Sequence, residues 1–508
     1  MSNHRAEGPR NVLVIMTDQH RVDTIGALLE DGARGVDTPN IDRLAAEGFA
    51  FTQAVTPTPI CTPARTSLLT GKAPFRHRVL ANHEWNIGYR TELPTSEWTY
   101  TQELRDAGYN VGLVGKFHVG EHHPPSEFGM DDDSFAGPIN PVGDPRYTDW
   151  LAANGHPPVR VTDAVRGRLP GDRPGHVLAA RLQQPVEATF ERFLTELATD
   201  RLRSYAADWD RDGQPFCLHV HYFGPHLPYF IPDEFFDLID PDDIELPPSF
   251  DETFEGKPPV QQNYSTYWSA DSFSRDEWRK IIAVYHGYVA MIDREVGRLL
   301  DELDRLGVAG ETAVFFTADH GEFTGAHRLN DKGPAAYQDI LNIPMLAHVP
   351  GISHHGRTEA FVSLLDVPAT ILDLAGLDPA LVVDGRSLLD LTRGEAVEEW
   401  RDDIVCEFHG HHFPLQQRTL ITPEHKLVVS PDSVNELYDR RADPYELVNR
   451  YRDPGCEEVR RQLTTRLHSI LQRRGDKAFA NWMLAVTDFD VPMTAISHSD
   501  YDSVDGNG

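Results

Sequence analysis

Two pairs of adjacent polar residues in this sequence carry groups that bind hard metal ions. The pairs are Asp18–Gln19 and Asp319–His320, and each follows an apolar run typical of a buried strand. Three oxygen-bearing side chains and one imidazole suit Ca²⁺, Mn²⁺ or Mg²⁺ better than Zn²⁺, which prefers softer ligands. Taken singly, Asp18 and Asp319 could each be a helix N-cap, but their positions at strand ends favour a metal site.

The segment 59–71 combines a cysteine, a proline and an arginine in an uncommon pattern. Cys61, Pro63 and Arg65 have the spacing Cys-x-Pro-x-Arg, and Leu-Thr-Gly follows at 69–71. A chain of this composition is expected to match that pattern by chance roughly 0.03 times. The alternative interpretation of Cys61 alone is a buried structural thiol at the start of a helix.

These residues resemble the type I sulfatases of the alkaline phosphatase superfamily, which includes arylsulfatases, choline sulfatases and the related phosphonate monoester hydrolases. Further motifs follow in the family's order and cover nearly the whole chain: Thr-Pro-Asn-Ile-Asp-Arg-Leu at 38–44, Gly-Lys-Phe-His at 115–118, Pro-His-Leu-Pro at 225–228, Asp-His-Gly-Glu at 319–322 and Glu-Leu-Tyr-Asp at 436–439. The resemblance implies an α/β fold like that of alkaline phosphatase. In that fold helices sandwich a large mixed, mostly parallel sheet, and a small C-terminal α+β subdomain follows.

The resemblance also implies the nucleophile and the metal. A formylglycine-generating enzyme would oxidise Cys61 to formylglycine, whose hydrated aldehyde attacks the substrate. One divalent cation, preferably Ca²⁺ with Mn²⁺ and Mg²⁺ as alternatives, would be held by formylglycine 61 and four further ligands: Asp18, Gln19, Asp319 and His320. The family more often has Asp and Asn in place of Gln19 and His320, so the identity of the metal stays open.

Three residues would serve the nucleophile in this mechanism. Asp319 would take the proton of the attacking hydroxyl, since metal coordination lowers the pKa of that group. Arg65 would hold the formylglycine. His118 would deprotonate the second hydroxyl, which expels sulfate by cleavage of the C–O bond.

Four residues would serve the substrate. Lys116 and Lys332 would bind the non-bridging oxygens of the ester, because a compact anion needs fixed cations around it. His226 and Lys332 would protonate the leaving alcohol. Asn82 is a further candidate substrate contact, since the resemblance implies an Asn near this position in phosphonate hydrolases and related enzymes.

The predicted function is therefore hydrolysis of a small sulfate monoester. Lys116 and His118 favour this activity, because phosphonate monoester hydrolases lack that Lys-x-His pair. Hydrolysis of a phosphonate monoester or a phosphodiester is the alternative, since those substrates also carry one negative charge. A catalytically silent binding protein with the same fold is a third interpretation, and the intact set of reactive residues argues against it.

The elements that must position these residues are strands of one doubly wound sheet. Apolar runs predict strands at 11–16, 109–114, 216–220 and 312–317. Ser274 and Glu277 form a predicted capping box that starts a long amphipathic helix, and Gly307 ends it. The two acidic strand tips are expected at the same edge of the sheet.

Outside this sheet the sequence is less regular. We predict a catalytic domain at 1–391, a subdomain at 392–475 and a tail at 476–508. The subdomain should contain exposed antiparallel strands at 418–430, another strand at 436–439 and a helix at 457–473. Residues 121–270 are interpreted as insertions at the mouth of the pocket, and the run Asp131–Asp133 as a solvated turn.

Large apolar residues in the tail indicate docking, either onto this subunit or onto a neighbouring one in a homo-oligomer; they are Trp482, Met483, Phe489 and Met493. The other histidines are assigned to structure or to the pocket edge. His219 and His221 are expected in the core or just behind the site. The loop with His409, His411 and His412 is expected at the substrate edge or on the surface, and His327 is an uncertain pocket residue.

Composition excludes several classes of partner. The 508 residues carry a formal net charge of −32, which repels nucleic acids, anionic lipids and sulfated polymers. No apolar run approaches the roughly 18 residues of a membrane span. Four scattered cysteines do not form a disulfide framework, and the polar start does not resemble a secretory signal. We expect a cytoplasmic enzyme with a small, diffusible substrate.

Overall fold

The computed structural model describes residues 11–29, 35–82, 90–135, 140–171, 173–352, 354–395, 397 and 399–487. In chain order the strands are β1 (Asn11–Thr17), β2 (Phe49–Phe51), β3 (Ala54–Val55), β4 (Asn110–Lys116), β5 (Asp131–Phe135), β6 (Val161–Leu169), β7 (Arg173–Leu182), β8 (Phe216–His221), β9 (Tyr229–Pro232), β10 (Thr312–Ala318), β11 (Met345–His348), β12 (Gly356–Thr358), β13 (Val362–Ser363), β14 (Ile404–Phe408), β15 (Gln417–Ile421), β16 (His425–Val429) and β17 (Glu436–Asp439).

The helices are α1 (Pro39–Glu47), α2 (Cys61–Thr70), α3 (Pro74–His77), α4 (Tyr100–Asp106), α5 (Pro145–Ala153), α6 (Phe190–Asp212), α7 (Asp233–Phe236), α8 (Pro259–Tyr267), α9 (Arg275–Leu306), α10 (Gln338–Leu341), α11 (Asp366–Leu374), α12 (Leu389–Thr392), α13 (Glu457–Arg474) and α14 (Lys477–Leu484).

An eight-stranded sheet in the order β12-β2-β11-β10-β1-β8-β4-β5 forms the centre of the molecule. Strand β1 pairs in parallel with β10 on one side and with β8 on the other. Only β11, among the described strands of this sheet, runs antiparallel to its neighbours. The predicted fold class, a mixed and mostly parallel sheet between helices, is confirmed.

Helices cover both faces of this sheet. Leu13 and Ile15 of β1 belong to a core that includes α6 and α9, whereas Val12 and Val14 belong to a second core that includes α2 and α11. Alternate side chains of a strand point to opposite faces, so a strand buried on both faces is apolar throughout. This explains the continuous apolar run at the start of the sequence.

The longest helix, α9, begins and ends where the sequence predicts. The Ser274 hydroxyl accepts a hydrogen bond from the Glu277 backbone N–H, and the Glu277 carboxylate accepts one from the Ser274 N–H. Gly307 ends the helix with a φ of 74°, a left-handed conformation that favours glycine. The helix has 32 residues, belongs to the core on one face of the sheet and lies directly before β10 in the chain.

A second sheet, of four antiparallel strands, has the order β14-β15-β16-β17. The prediction that its central strands are exposed is wrong, since β15 is buried throughout. Helices α13 and α14 cover one face, where Leu420 and Leu427 lie. Ile421 and Val428 on the other face pack against Val55 of the large unit. The boundaries at 391 and 475 stay predictions.

Two further sequence interpretations are corrected. The run Asp131–Asp133 is not a turn but belongs to the edge strand β5, where Arg201 pairs with Asp131 and Asp133 and offsets their charge. The segment 121–270 does not consist only of insertions at the pocket mouth. It includes α6, a 23-residue helix that packs on α9 in the core, and the three-stranded sheet β6-β7-β9.

The start of the tail packs on its own subunit. Phe479 and Met483 of α14 belong to the same core as α13. Trp482 remains 42% exposed. Phe489 and Met493 lie outside the described residues, and the homo-oligomer stays a prediction. None of the described helices has the length and apolar character needed to cross a membrane.

Candidate active site

The parallel pairing of β1 and β10 brings the two polar pairs together. The register aligns Thr17 with Ala318, so Asp18 and Asp319 leave adjacent strands at the same edge. The Gln19 N–H donates to Asp319 Oδ1 over 3.3 Å, and the His320 N–H donates to the same oxygen over 2.9 Å. All four side chains are fully buried. A ligand therefore meets them at the carboxyl end of the sheet, where open α/β sheets bind ligands.

Cys61 is the first residue of α2, and it completes this cluster. Its Sγ lies 3.1 Å from His320 Nε2 and 3.8 Å from Asp18 Oδ1. One ligand atom from each of four residues, Asp18, Cys61, Asp319 and His320, lies within 4.8 Å of the others. The predicted nucleophile thus lies beside the predicted metal ligands.

The donors present fit a hard divalent cation. Gln19 Nε2 donates to Asp331 over 2.7 Å, whereas the buried Gln19 Oε1 accepts no hydrogen bond from any of the described residues. A buried carbonyl oxygen without a donor is costly unless a cation takes its lone pairs. Gln19 also has a φ of 58°, a strained conformation for a residue with a side chain and one typical of functional sites. Two carboxylates, this amide oxygen and the His320 imidazole suit Ca²⁺, Mn²⁺ or Mg²⁺.

Arg65 bridges the two carboxylates from the next turn of α2. Its Nη2 donates to Asp18 over 2.8 Å and its Nε to Asp319 over 2.9 Å, and Nη1 donates to the Lys116 carbonyl over 2.7 Å. The guanidinium is 2% exposed. A buried charge at this distance from two anions compensates them, so the cluster is not a bare concentration of negative charge.

The charges around the cluster shift its pKa values in opposite directions. Burial and the Asp18 charge raise the pKa of Asp319 to about 6. Burial would also raise the pKa of Asp18, but Lys116, His226 and Arg65 outweigh it and hold that pKa below its usual range. Burial disfavours the charged form of His320, yet Asp319 raises its pKa to about 9. One carboxylate is thus firmly ionised, and its neighbour is the better proton acceptor.

Lys116 and His118 enter the site from the end of β4. Lys116 Nζ lies 2.6 Å from Asp18 Oδ2 and is buried. A Cβ on Gly115 would lie 2.0 Å from the His221 carbonyl oxygen, so only glycine lets β4 approach β8 this closely just before the lysine. Burial, Lys116 and Arg65 lower the pKa of His118 to about 3, and its imidazole interacts with Cys61. His118 is therefore a neutral base at physiological pH.

Lys332 and His226 form a pair on the other side of Cys61. His226 Nδ1 donates to the Leu227 carbonyl, so its Nε2 accepts the hydrogen bond from Lys332 Nζ over 3.0 Å. Burial and Lys332 lower the pKa of His226. Burial would lower the pKa of Lys332 too, but Asp331, 3.1 Å away, raises it above its usual value. The ammonium is the proton carrier of this pair.

A cavity of about 270 Å³ joins these groups, and it is lined by Cys61, Asn82, Lys116, His118, His226, Leu227, Trp268, Asp331, Lys332, His411 and His412. Asn82 Oδ1 accepts from the Thr62 N–H over 2.9 Å, next to the nucleophile position. A larger groove of about 450 Å³ runs between α6 and α9, but paired surface charges such as Arg203 and Glu302 line it, and among the described residues it shares no lining residue with the cavity at Cys61.

The remaining histidines divide between the pocket and its support. His411 and His412 belong to the cavity wall, whereas His409 pairs with the buried Glu407. His221 contacts the Lys116 carbonyl behind the site. His219 bonds Tyr100 Oη in the core. His327 does not line the cavity, because it stacks on Tyr337 at 3.6 Å and pairs with Glu252.

Sequence reasoning missed two residues of the site. Asp331 accepts from Gln19 and Tyr264 and pairs with Lys332, so it links a metal ligand to a substrate-binding cation. Its adjacency to Lys332 was the available signal. Trp268 lines the cavity at the end of α8. The aromatic run at 264–268 was visible in the sequence, but nothing in it indicated proximity to Cys61.

Known proteins resemble this chain over most of its length. It is 28% identical over 472 residues to "Uncharacterized sulfatase YidJ" of Escherichia coli K12, covering 92% of this chain and 87% of that protein. It is 27% identical to "Multifunctional alkaline phosphatase superfamily protein PehA" of Trinickia caryophylli, covering 93% and 97%. The solved phosphonate monoester hydrolase of Agrobacterium radiobacter superposes with a TM-score of 0.76 at 25% identity, covering 92% and 96%.

Family comparisons agree with these relatives. Residues 325–473 match the family described as N-sulphoglucosamine sulphohydrolase, C-terminal. Residues 10–377, more than half of the chain, match the family described as Sulfatase. The predicted resemblance is confirmed, and this chain belongs to the sulfatase family of the alkaline phosphatase superfamily.

Proposed function

We propose that this protein hydrolyses sulfate monoesters of small alcohols. The observation that carries the proposal is the convergence of Cys61, Lys116, His118 and Lys332 on one cavity beside the buried carboxylate cluster. A sulfate ester is a compact monoanion, and two ammonium groups flank the position of attack on it. Family membership supports a hydrolase of this class.

Two groups would complete the site. Formylglycine made from Cys61 by a maturation enzyme would supply a hydrated aldehyde as nucleophile. A divalent cation, which we propose to be Ca²⁺, would be held by this formylglycine together with Asp18, Gln19, Asp319 and His320, and it would supply Lewis acidity. The thiol environment is compatible with an anionic nucleophile. Burial raises the pKa of Cys61, but Lys116, Lys332 and His320 outweigh burial and lower it well below its usual value.

Side chains around the cavity have separate roles in the proposed hydrolysis. Arg65 holds Asp18 and Asp319 in place, and Asp319, which lies beside residue 61, would accept a proton from the nucleophile. Lys116 reaches the site from the Asp18 side and would bind a non-bridging sulfate oxygen. His118, neutral because its pKa is lowered, would take the proton whose loss releases sulfate.

Protonation of the leaving alcohol falls to the Lys332–His226 pair. Lys332 carries the proton, since Asp331 keeps it ionised, and it also offers its charge to the ester oxygens. His226 accepts a hydrogen bond from Lys332 and fixes the direction of the ammonium. Asn82 also lines the cavity and bonds the Thr62 N–H, and it is a proposed substrate contact.

The formal net charge of −32 supports a small and diffusible substrate over a sulfated polymer, because long-range repulsion acts on every charge of a polyanion. The cavity of about 270 Å³ supports the same conclusion. A cytoplasmic location stays a prediction.

Hydrolysis of phosphonate monoesters or phosphodiesters is a second candidate. It is favoured by the TM-score of 0.76 to the Agrobacterium radiobacter phosphonate monoester hydrolase. Those esters carry the same single charge as a sulfate monoester. The Lys116-x-His118 pair supports the sulfate ester as the preferred substrate.

The test compares aryl esters of sulfate, phosphonate and phosphodiester with one alcohol, using a preparation whose formylglycine content at residue 61 is measured by peptide mass. We expect the largest kcat/KM for the sulfate. A larger kcat/KM for the phosphonate or the diester would refute the sulfate preference and support the second candidate. Cys61→Ser should lose nearly all turnover of the sulfate ester, whereas Cys456→Ser, at a partly exposed cysteine of the C-terminal unit, should retain it.

A further inference from the structure

Aromatic side chains surround the mouth of the catalytic cavity on one side. We define this group as the aromatic rim: Tyr264, Tyr267, Trp268, His412 and Phe413. Trp268 and His412 line the cavity together with Cys61 and Lys332. Ring centroids of Tyr267 lie 5.6 Å from Trp268, 5.0 Å from His412 and 5.5 Å from Phe413. The rim is thus one continuous surface and not a set of isolated rings.

Two distant parts of the chain build the rim. Tyr264 and Tyr267 stack along α8 with an interplanar angle of 21°, and Trp268 ends that helix. His412 and Phe413 come from the loop after β14, in the C-terminal unit. Tyr264 Oη donates to Asp331 over 2.9 Å and also bonds the Lys332 carbonyl. The rim is therefore attached to the segment that carries the substrate-binding lysine.

The rim is not explained by packing alone. Tyr267 is 40% exposed, and Trp268 and Phe413 are only partly buried, so the rim keeps apolar surface exposed, and Trp268 presents part of it to the cavity. A cluster of exposed rings beside a polar site is typical of a binding surface, because the stability of the folded protein alone would favour burying those rings. The ester's charged end belongs with Lys116 and Lys332. Its alcohol half must then extend along the cavity wall that Trp268 and His412 form.

The size and charge of the cavity select among alcohols. A cavity of about 150 Å³ holds one benzene molecule, so 270 Å³ accommodates one ring together with a sulfate group. A cationic alcohol would lie near the ammonium groups of Lys116 and Lys332. Asp331 is the one carboxylate among the described lining residues, so the two ammonium groups outnumber the negative charges there. This environment favours a neutral flat ring over a quaternary ammonium.

We propose that the aromatic rim is the subsite for the alcohol half of the substrate, and that this half is a single neutral aromatic ring packed against Trp268 and Tyr267, whose own rings meet edge to face at 87°. The proposal rests on the ester hydrolysis proposed above for the same cavity. Tyr267 and Trp268 act as specificity-determining residues, and they take no part in bond cleavage.

The test compares phenyl sulfate with cyclohexyl sulfate in the wild type, Tyr267→Ala and Trp268→Ala. For each ester, the kcat/KM of a variant is divided by the kcat/KM of the wild type, so the intrinsic reactivity of the two esters cancels. Loss of the contact between the substrate ring and the removed side chain should lower the ratio for phenyl sulfate about 5- to 10-fold for each variant. The cyclohexyl ratio should fall less than about 2-fold. Tyr267→Phe and Trp268→Phe should restore most of the phenyl rate.

Tyr445→Ala is the matched control, because Tyr445 is 49% exposed in the C-terminal unit and does not line the cavity. It should leave both esters unchanged. Equal losses on both esters, or no loss on either, would overturn the subsite. Tyr267 is an exposed side chain, so its variant remains informative even where Trp268→Ala proves unstable by circular dichroism.

A binding measurement separates failure of the subsite from failure of the proposed function. Saturation-transfer NMR with phenol, cyclohexanol and choline requires no turnover. We expect a phenol signal that Tyr267→Ala and Trp268→Ala reduce and that exceeds the signals of the other two alcohols. If the wild-type protein hydrolyses no ester but binds phenol in this way, the subsite would stand and the proposed function would fail. Phenol binding unaffected by the variants, or weaker than choline binding, would refute the subsite.

Discussion

Replacing Glu191 by glutamine should change how the stability of this protein depends on pH. Glu191 lies on the first turn of α6 and is 3% exposed. Its carboxyl accepts a hydrogen bond from Tyr288 Oη of α9, and its pKa is affected by a backbone hydrogen bond with Gly224, two residues before His226. Burial raises the pKa of Glu191 from 4.5 to about 7. The folded protein therefore holds a proton that the unfolded chain has already released.

The magnitude follows from this difference in proton binding. Between pH 4.5 and about 7 the folded state binds more protons than the unfolded state, so the free energy of unfolding falls as pH rises. The interval spans about 2.5 pH units, and each unit corresponds to about 1.4 kcal/mol. The full loss is about 3 kcal/mol above pH 7. Glutamine keeps the shape and the acceptor for Tyr288 without a titrating proton.

Urea unfolding of wild type and Glu191→Gln at a series of pH values measures the effect. The two proteins should have similar stability at pH 4.5, and the variant should be more stable by about 3 kcal/mol at pH 8. Ionisable groups that do not interact with Glu191 contribute equally to both proteins and cancel in the difference. Glu187→Gln, at an exposed position four residues earlier, is the control and should parallel the wild type. Parallel curves for Glu191→Gln would refute the idea that burial keeps this carboxyl protonated.

Three further predictions concern the active site. Asp331→Asn should weaken divalent-cation binding about 10- to 100-fold, because Asp331 orients the Gln19 amide; calorimetric titration with Ca²⁺ measures this, and unchanged affinity would contradict it. Lys332→Met should lower kcat/KM for an aryl sulfate by about 100-fold or more, whereas Lys72→Met, which removes a partly exposed ion pair with Glu97, should not; steady-state kinetics decide. Dialysis against a chelator should lower the melting temperature and the rate of hydrolysis, because removing the cation leaves the buried carboxylates Asp18 and Asp319 without its charge. Added Ca²⁺ should restore both. A rate that survives chelation would exclude the proposed metal.

Much of the central fold could be predicted from local sequence. The strands at 11–16 and 312–317 are continuous apolar runs because both faces of the sheet are covered by helices. The bounds of α9 follow from Ser274, Glu277 and Gly307, whose effects depend only on neighbouring backbone. The C-terminal strands were predicted as strands but not as buried ones, because the second covering layer there comes from earlier parts of the chain, including Val55 of the large unit.

The sequence by itself determined which reactive groups this protein contains, namely the Cys61 motif and the two acidic strand ends. It also determined the family to which the protein belongs. Each of these depends on a short segment or on the order of segments, so no tertiary contact is needed to recognise it. Only the tertiary structure decided how those groups act on one another. It joined Asp331 to Gln19 across 312 residues, paired Lys332 with His226, and brought α8 and the loop after β14 together as the aromatic rim. Such contacts arise from packing between elements far apart in the chain, and burial then sets the pKa values that no spacing of residue types reveals.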